Sequence, residues 1–190
     1  MDQSEVIISI EGVSLQSCYV VKELSAVRKD AHQHFFFQTP DKFITACKLR
    51  RSTNVCDKMA ANDYKLNNSD FAGIRFARKH LSGFDLSIDD DTYIPNNLYE
   101  HIIKDIAKRS NMIYYYGDIT HKILKKVLAL EEDPTPLIDV CQILGEQFHY
   151  QKELLPSFCG KVHLSRYCSL SKAFYIRKKL KETIKFNMRQ

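Results

Sequence analysis

Apolar, β-branched and aromatic residues concentrate in three short segments near the start of the chain, at residues 6–10, 18–27 and 32–38. Polar breaks at residues 12–14 and 28–30 separate these segments. Short segments of this composition, bounded by polar breaks, are typical of strands that are joined by hairpins. The pattern therefore predicts an antiparallel meander of three strands.

The second half of the chain alternates between helical and strand-like spacing of its apolar residues. We predict a helix capped by Asn97 and extending to residue 106, a strand at 112–116, a helix at 118–130, a strand at 137–143 and a helix at 169–186. This order predicts an α/β fold with a mixed five-stranded sheet, in which antiparallel strands one to three precede helix, strand, helix, strand and helix. Helices are expected to flank the sheet.

Residues 39–91 are harder to assign because they are more polar. Helices are predicted at 41–47 and 69–83, and the stretch near residues 50–68 has the composition of a polar insertion. With 190 residues and 44% hydrophobic content, the chain is long enough to bury one full core. We therefore expect a single domain over residues 1–190.

Positive charge is concentrated at the end of the chain. Residues 161–190 hold nine Lys or Arg and one acid, Glu182, so that this segment carries +8 and the other residues −3 of the net +5. A basic face of this kind is a plausible footprint for a phosphate backbone, although a solvated helix face has the same composition. The candidate RNA contacts are Arg166, Lys172, Arg177, Lys178, Lys179 and Lys181.

Cysteine usage and hydropathy indicate the cellular compartment in which the protein is expected. The six cysteines are scattered in a chain whose first residues lack the basic start and apolar run of a signal peptide, which disfavours a disulfide framework. No apolar stretch approaches the roughly 18 residues that a membrane span needs. We expect an intracellular protein, in the cytoplasm or the nucleus, without a membrane partner.

The residues with the clearest chemistry are Cys159, His163 and Cys168, which lie within ten positions of each other. With Glu11, a lone acid at the end of the first apolar strand, they would complete a tetrahedral zinc shell. His121 is a further candidate ligand, and a solvated histidine is the alternative for it. Thiolate and imidazole ligands favour Zn²⁺ over Mg²⁺.

A second arrangement remains open because Asp118 and Asp139 also lie next to predicted strand ends. If they converge with Glu11, they would form a magnesium site, with His163 as general base of a nuclease. The catalytic candidates of this alternative are therefore Glu11, Asp118, Asp139 and His163. A third hypothesis is a protein-interaction module for which nucleic acid is irrelevant.

The strand order, the acid in strand one and the His163-x4-Cys168 motif resemble the ribonuclease H-like fold of the DEDDh exonucleases. That family holds two magnesium ions with an Asp-x-Glu pair, a later Asp and a terminal His-x4-Asp. Here Ser9 stands in place of the first Asp, Glu11 is kept, and Cys168 replaces the last Asp. The resemblance therefore implies that two-metal exonuclease chemistry is lost.

A degenerate set of Glu, His, His and Cys on this fold resembles the Maelstrom domain of the germline small-RNA pathway. That resemblance implies zinc bound by Glu11, Cys159, His163 and Cys168, binding of single-stranded RNA in small-RNA or transposon silencing, and at most weak endonuclease activity. The Cys-x3-His-x4-Cys spacing departs from the family pattern, and no DNA-bending box accompanies it. The chain also looks similar to uncharacterised arthropod and mobile-element proteins.

Overall fold

The computed structural model describes residues 4–14, 19–38, 93–129, 134–145, 148 and 168–187. The predicted helices at 41–47 and 69–83 and the polar insertion lie outside these ranges. The same is true of Cys159, His163 and Arg166.

All five predicted strands are present and belong to one sheet. They are β1 (Glu5–Ser14), β2 (Tyr19–Val27), β3 (His32–Phe36), β4 (Met112–Tyr115) and β5 (Leu137–Asp139). Their order in the sheet is β3-β2-β1-β4-β5. The pairs β1–β2 and β2–β3 are antiparallel, whereas β1–β4 and β4–β5 are parallel. The predicted meander and the mixed five-stranded sheet are thus confirmed.

Helices follow the strands in the predicted sequence. They are α1 (Tyr99–Lys108), α2 (Asp118–Leu128), α3 (Val140–Leu144) and α4 (Ser169–Asn187), and a 3₁₀ turn at Asn96–Leu98 precedes α1. In the part of the chain that the structure describes, no helix combines the length and the apolar character that crossing a bilayer requires.

Alternation along β1 divides the core into two layers. Val6, Ile8 and Ile10 pack on one face of the sheet with buried residues of α1 and α2. Ile7 points to the opposite face, where Ile176 and Leu180 of α4 cover it. We call this second side the α4 face. The burial of Ile176 and Leu180 shows that this apolar side of α4 faces the sheet.

The fifth strand is shorter than predicted. Residues 137–143 were expected to form one strand, but β5 ends at Asp139 and α3 begins at Val140. The Asp139 carboxylate accepts a hydrogen bond from the Cys141 amide at 2.9 Å, which is the contact of a helix N-cap. A short apolar run is compatible with a buried strand and with a buried helix, and this cap decides between them.

The prediction that Asn97 caps the first helix is also wrong. Asn97 lies inside the 3₁₀ turn, and α1 begins at Tyr99 without a side-chain hydrogen bond at its cap. The neighbouring Asn96 instead donates its amide to the Val21 carbonyl at 2.6 Å. The asparagine therefore anchors the start of α1 to the sheet rather than capping the helix.

A β-bulge interrupts the pairing of β1 and β2 between Glu11 and Gly12. A Cβ atom at Gly12 would lie 2.1 Å from the Val20 carbonyl oxygen, so that no side chain fits there. Bulges bend and twist a strand locally and often lie beside functional residues. This bulge directly follows Glu11, the acid that the sequence singles out.

Candidate functional site

A strip of polar side chains crosses the α4 face of the sheet. Ser9 and Glu11 share the face of Ile7 because they follow it at even spacing on β1. Their partners on β2 are Ser25 and Glu23, respectively. We call these four residues the polar strip. It lies in a part of the sheet that is otherwise apolar, so each of its groups needs a hydrogen-bonding or charged partner.

Lys172 of α4 supplies the partner of Glu11. Its Nζ lies 2.8 Å from Glu11 Oε1, and the two side chains are only 15% and 17% exposed. The same ammonium group lies 5.6 Å from the centre of the Tyr116 ring. The structure thus corrects one expectation, because Lys172 points into the protein and does not belong to an exposed basic surface.

Glu23 pairs with His34 of the neighbouring strand. Its Oε1 is 2.5 Å from His34 Nε2, and the Glu23 side chain is fully buried. The His34 ring also contacts the Phe36 ring, with 4.6 Å between centres. Sequence reasoning missed this pair, although an acid within the apolar segment 19–27 and a histidine in the next strand were visible signals.

The two serines of the polar strip differ in their contacts. Ser25 Oγ lies 2.6 Å from Ser169 Oγ at the start of α4, in a buried hydrogen bond. Ser9 Oγ is buried and has no hydrogen-bond partner among the residues that the structure describes. The Ser9 hydroxyl is therefore enclosed in the core.

Cys168 lies at the beginning of α4 and is completely buried. Its Sγ accepts a hydrogen bond from the Ser171 amide at 3.4 Å. Its carbonyl accepts one from the Lys172 amide at 3.1 Å, which places the thiol one helical turn before the partner of Glu11. Two predicted zinc ligands, Glu11 and Cys168, are thus associated with the same part of α4.

The other two predicted zinc ligands, Cys159 and His163, lie outside the described residues. Within the described ranges, no group of three or more His, Cys, Asp or Glu is arranged to hold a metal ion. Because half of the predicted set is missing from that search, the zinc site stays a prediction. Cys168 itself packs in the buried cluster of the α4 face, with Ile7, Val27 and Tyr114.

His121 lies far from this set in the architecture. It belongs to α2 and stacks on Tyr115, with 4.8 Å between ring centres and 12° between their planes. Tyr115 packs in the layer of α1 and α2, on the opposite side of the sheet from Glu11. The structure therefore does not bring His121 to the α4 face.

The two aspartates of the magnesium alternative lie near Tyr115. Asp139 is the register partner of Tyr115 and therefore shares its face. Burial raises the pKa of the Tyr115 phenol, and the nearby charges of Asp139 and Asp118 raise it further. Both carboxylates thus act on Tyr115, and Asp139 lies on the face of the sheet opposite Glu11.

The basic residues in the middle of α4 fall into two groups, those that bind other groups of the protein and those that are exposed to solvent. Arg177 is tied to the β2–β3 turn, since its Nη1 donates to the Arg28 and Lys29 carbonyls at 2.9 and 3.0 Å. Lys179 pairs with Glu182 at 3.0 Å. Lys178 and Lys181 are exposed. A groove of about 330 Å³, here called the α4 groove, is lined by Phe174, Arg177, Lys178, Lys181 and Glu182.

Fold and site together define a mixed α/β protein whose sheet carries a buried polar strip beneath its last helix. Comparisons of the chain with protein-family models, with curated proteins and with solved structures give no match. Its function must therefore be inferred from its own geometry.

Proposed function

We propose that this chain is a ribonuclease H-like domain that has lost two-metal catalysis and binds single-stranded RNA along α4. One observation carries the proposal: the basic side chains of α4 point in two different directions. Lys172 points inward to Glu11, whereas Lys178 and Lys181 point outward and line the α4 groove. The mixed five-stranded sheet, with β1 to β3 antiparallel and β4 and β5 added in parallel, agrees with the fold expected from the resemblance.

The polar strip supports the loss of catalysis. Two divalent cations about 4 Å apart need several carboxylates to balance their charge and to orient the attacking water. In this chain Ser9 supplies only a hydroxyl, and the charge of Glu11 is balanced by an ammonium group at 2.8 Å. With the charge of Glu11 offset in this way, Glu11 and Ser9 offer too little negative charge to hold two magnesium ions. Lys172 therefore serves as the counter-ion of Glu11.

The α4 groove supports RNA binding. Lys178 and Lys181 are exposed cations one turn apart, and neutralising phosphates with such residues releases counterions. Phe174 is half-buried in the groove and lies 4.9 Å below the Arg177 guanidinium. Aromatic and guanidinium planes stack with unpaired bases, which a duplex keeps inside its own stack. The combination favours single strands.

A structural zinc ion held by Glu11, Cys159, His163 and Cys168 is part of the proposal. Its support is the buried thiol of Cys168, which accepts an amide hydrogen bond at the start of the helix that covers Glu11. A closed site with four protein ligands leaves no position for a reactive water. Zinc would thus join β1 to α4 and would not take part in catalysis.

Fluorescence anisotropy with labelled single-stranded RNA tests the proposal. The double variant Lys178→Gln/Lys181→Gln should bind about tenfold more weakly, since two exposed ion pairs are lost. The slope of log affinity against log salt should fall in magnitude by about 1.4. The matched control is Lys122→Gln/Lys125→Gln, which removes two exposed lysines of α2 on the other side of the sheet.

Three outcomes would contradict the proposal. Absent or salt-insensitive RNA binding would favour the protein-interaction module. Equal weakening in the α2 control would show that net charge alone drives binding. Magnesium-dependent cleavage of the RNA that disappears in Glu11→Gln would favour the nuclease alternative.

A further inference from the structure

The described residues that line the α4 groove form one stripe along the last helix. They follow the i, i+3, i+4, i+7, i+8 spacing that places side chains on a single face of a helix. The stripe spans about 12 Å along the helix axis. Its members are Phe174, Arg177, Lys178, Lys181 and Glu182. The groove therefore presents an aromatic ring, cations and a carboxylate in a fixed order.

Glu182 is the acidic residue among these lining side chains. Its side chain is half exposed, and its Oε2 accepts a hydrogen bond from Lys179 Nζ at 3.0 Å. A carboxylate has two oxygens and about four acceptor sites, so this bond uses only part of its capacity. Because a carboxylate repels phosphate groups, its favourable contacts in a groove that binds RNA are with the hydrogen-bond donors of the bases.

Lys178 lies one helical turn before Glu182 and lines the same groove. Side chains four positions apart are neighbours on a helix, with about 5–6 Å between their Cβ atoms. Both residues are exposed to solvent. An ammonium group and a carboxylate thus offer hydrogen-bond donors and acceptors side by side at this point of the groove.

Arg177 supplies a planar group that is oriented in advance. Its Nη1 donates to the main-chain carbonyls of Arg28 and Lys29 at 2.9 and 3.0 Å. Its guanidinium carbon lies 4.9 Å from the centre of the Phe174 ring. Guanidinium planes stack on unpaired bases. An arginine that the protein already holds loses less conformational freedom when a base arrives.

We propose that Glu182 makes the α4 groove selective for guanine in single-stranded RNA. The Watson–Crick edge of guanine carries two neighbouring donors, N1–H and the N2 amino group, which match the two oxygens of one carboxylate. Its O6 accepts from Lys178, and its ring stacks on Arg177. Adenine, cytosine and uracil each present one donor group on that edge. This inference rests on the proposed function, because it names the base that the same groove selects.

The test measures anisotropy with the full chain and with labelled oligoadenylates that carry guanine, hypoxanthine or adenine at the central position. Hypoxanthine differs from guanine only in lacking the N2 amino group, so it isolates one of the two donors. Glu182→Gln keeps the size of the side chain. Asp105→Asn is the matched control, because it removes an equal charge from an exposed position of α1 that does not line the groove. Surface substitutions of this kind leave the fold intact.

The wild type should bind the guanine strand about tenfold more tightly than the adenine strand, as expected for a contact of two hydrogen bonds to a base edge. The hypoxanthine strand should bind with an affinity between these two. Glu182→Gln should reduce the preference for guanine to less than about twofold, because an amide group has only one acceptor oxygen. Asp105→Asn should keep the preference of the wild type.

The outcomes separate this inference from the proposed function. If RNA binds through Lys178 and Lys181 but the three strands bind equally, the selectivity for guanine is overturned and RNA binding remains. If none of the strands binds, the proposed function itself fails. If Glu182→Gln strengthens the binding of all three strands equally, Glu182 acts only through its charge and the inference is overturned. Loss of the preference in Asp105→Asn would overturn it as well.

Discussion

Lys172 and Glu11 form an ion pair at 2.8 Å between the last helix and the first strand, 161 positions apart in the chain. The side chains of both residues are largely buried. The contact therefore fixes α4 over the polar strip, and it separates a structural lysine from the exposed lysines of the same helix.

Replacing Lys172 by Met should lower the free energy of unfolding by about 2 kcal/mol. The pair is more buried than a surface ion pair and less buried than one in a dry core, so its loss should fall between those two cases. Urea denaturation measures the change. Lys178→Met on the exposed side of α4 is the control and should change stability by no more than about 0.5 kcal/mol.

A double-mutant cycle isolates the interaction of Lys172 with Glu11. Glu11→Gln and Lys172→Met should each destabilise the protein, and the double variant should lose less than the sum of the two effects. Strict additivity would show that the two charges do not stabilise each other.

Ser9→Ala should raise the free energy of unfolding by about 1 kcal/mol, because it removes a buried hydroxyl that lacks a partner among the described residues. Its register partner on β2 provides the control. Ser25→Ala breaks the buried bond to Ser169 and should destabilise by about 2 kcal/mol. Equal destabilisation by both substitutions would mean that the Ser9 hydroxyl is hydrogen-bonded.

Purified wild-type protein should contain about one zinc ion per chain, as expected for one tetrahedral structural site. Cys168→Ser should lose this zinc, whereas Cys141→Ser in α3 should keep it. Mass spectrometry of the metal content is the deciding measurement, because Cys168 is fully buried and its substitution lowers stability even without zinc. A wild-type protein with little zinc would reject the site.

Tyr114 should make stability depend on alkaline pH. Burial raises the pKa of its phenol above 10.0, and so do the charge of Glu5 and the hydrogen bond to it, at 3.2 Å. The unfolded chain then loses this proton at a lower pH than the folded protein does. The contribution is complete below pH 10.0 and is lost as the pH rises through the folded pKa.

The matching variant is Tyr114→Phe, followed by urea denaturation at neutral and at alkaline pH. At neutral pH the variant should be about 1 kcal/mol less stable than the wild type, since one hydrogen bond is lost. Above pH 10.0 this difference should shrink, because phenylalanine has no proton to lose. A difference that is constant over this range would contradict the raised pKa.

The elements that the sequence predicted well are those with strong local patterns. The strand predicted at 18–27 is observed as β2 (Tyr19–Val27), and the helix predicted at 169–186 is observed as α4 (Ser169–Asn187). Alternation and helical spacing depend on neighbours in the chain, so they can be recognised without the fold. The end of β5 was missed because one capping side chain, Asp139, decided it.

The partners within the site could not be predicted in the same way. Glu11 was singled out because an acid ended an apolar strand, but its partner is distant in sequence and lies on a helix with many similar cations. Only the packing of α4 on the sheet distinguishes Lys172 from Lys178. The pairing of Glu23 with His34 likewise depends on the register of β2 and β3.

The position of α4 at the late end of the chain has a consequence for protein synthesis. During translation the sheet emerges with its Ile7 face uncovered, because Ile176 and Leu180 that cover it are made after all five strands. Ser25 and Glu11 also lack their partners, Ser169 and Lys172, until α4 has been synthesised. Ribosome-bound chains that stop before α4 should therefore expose an apolar surface and attract chaperones, and the fold should close only when the last helix has left the ribosome.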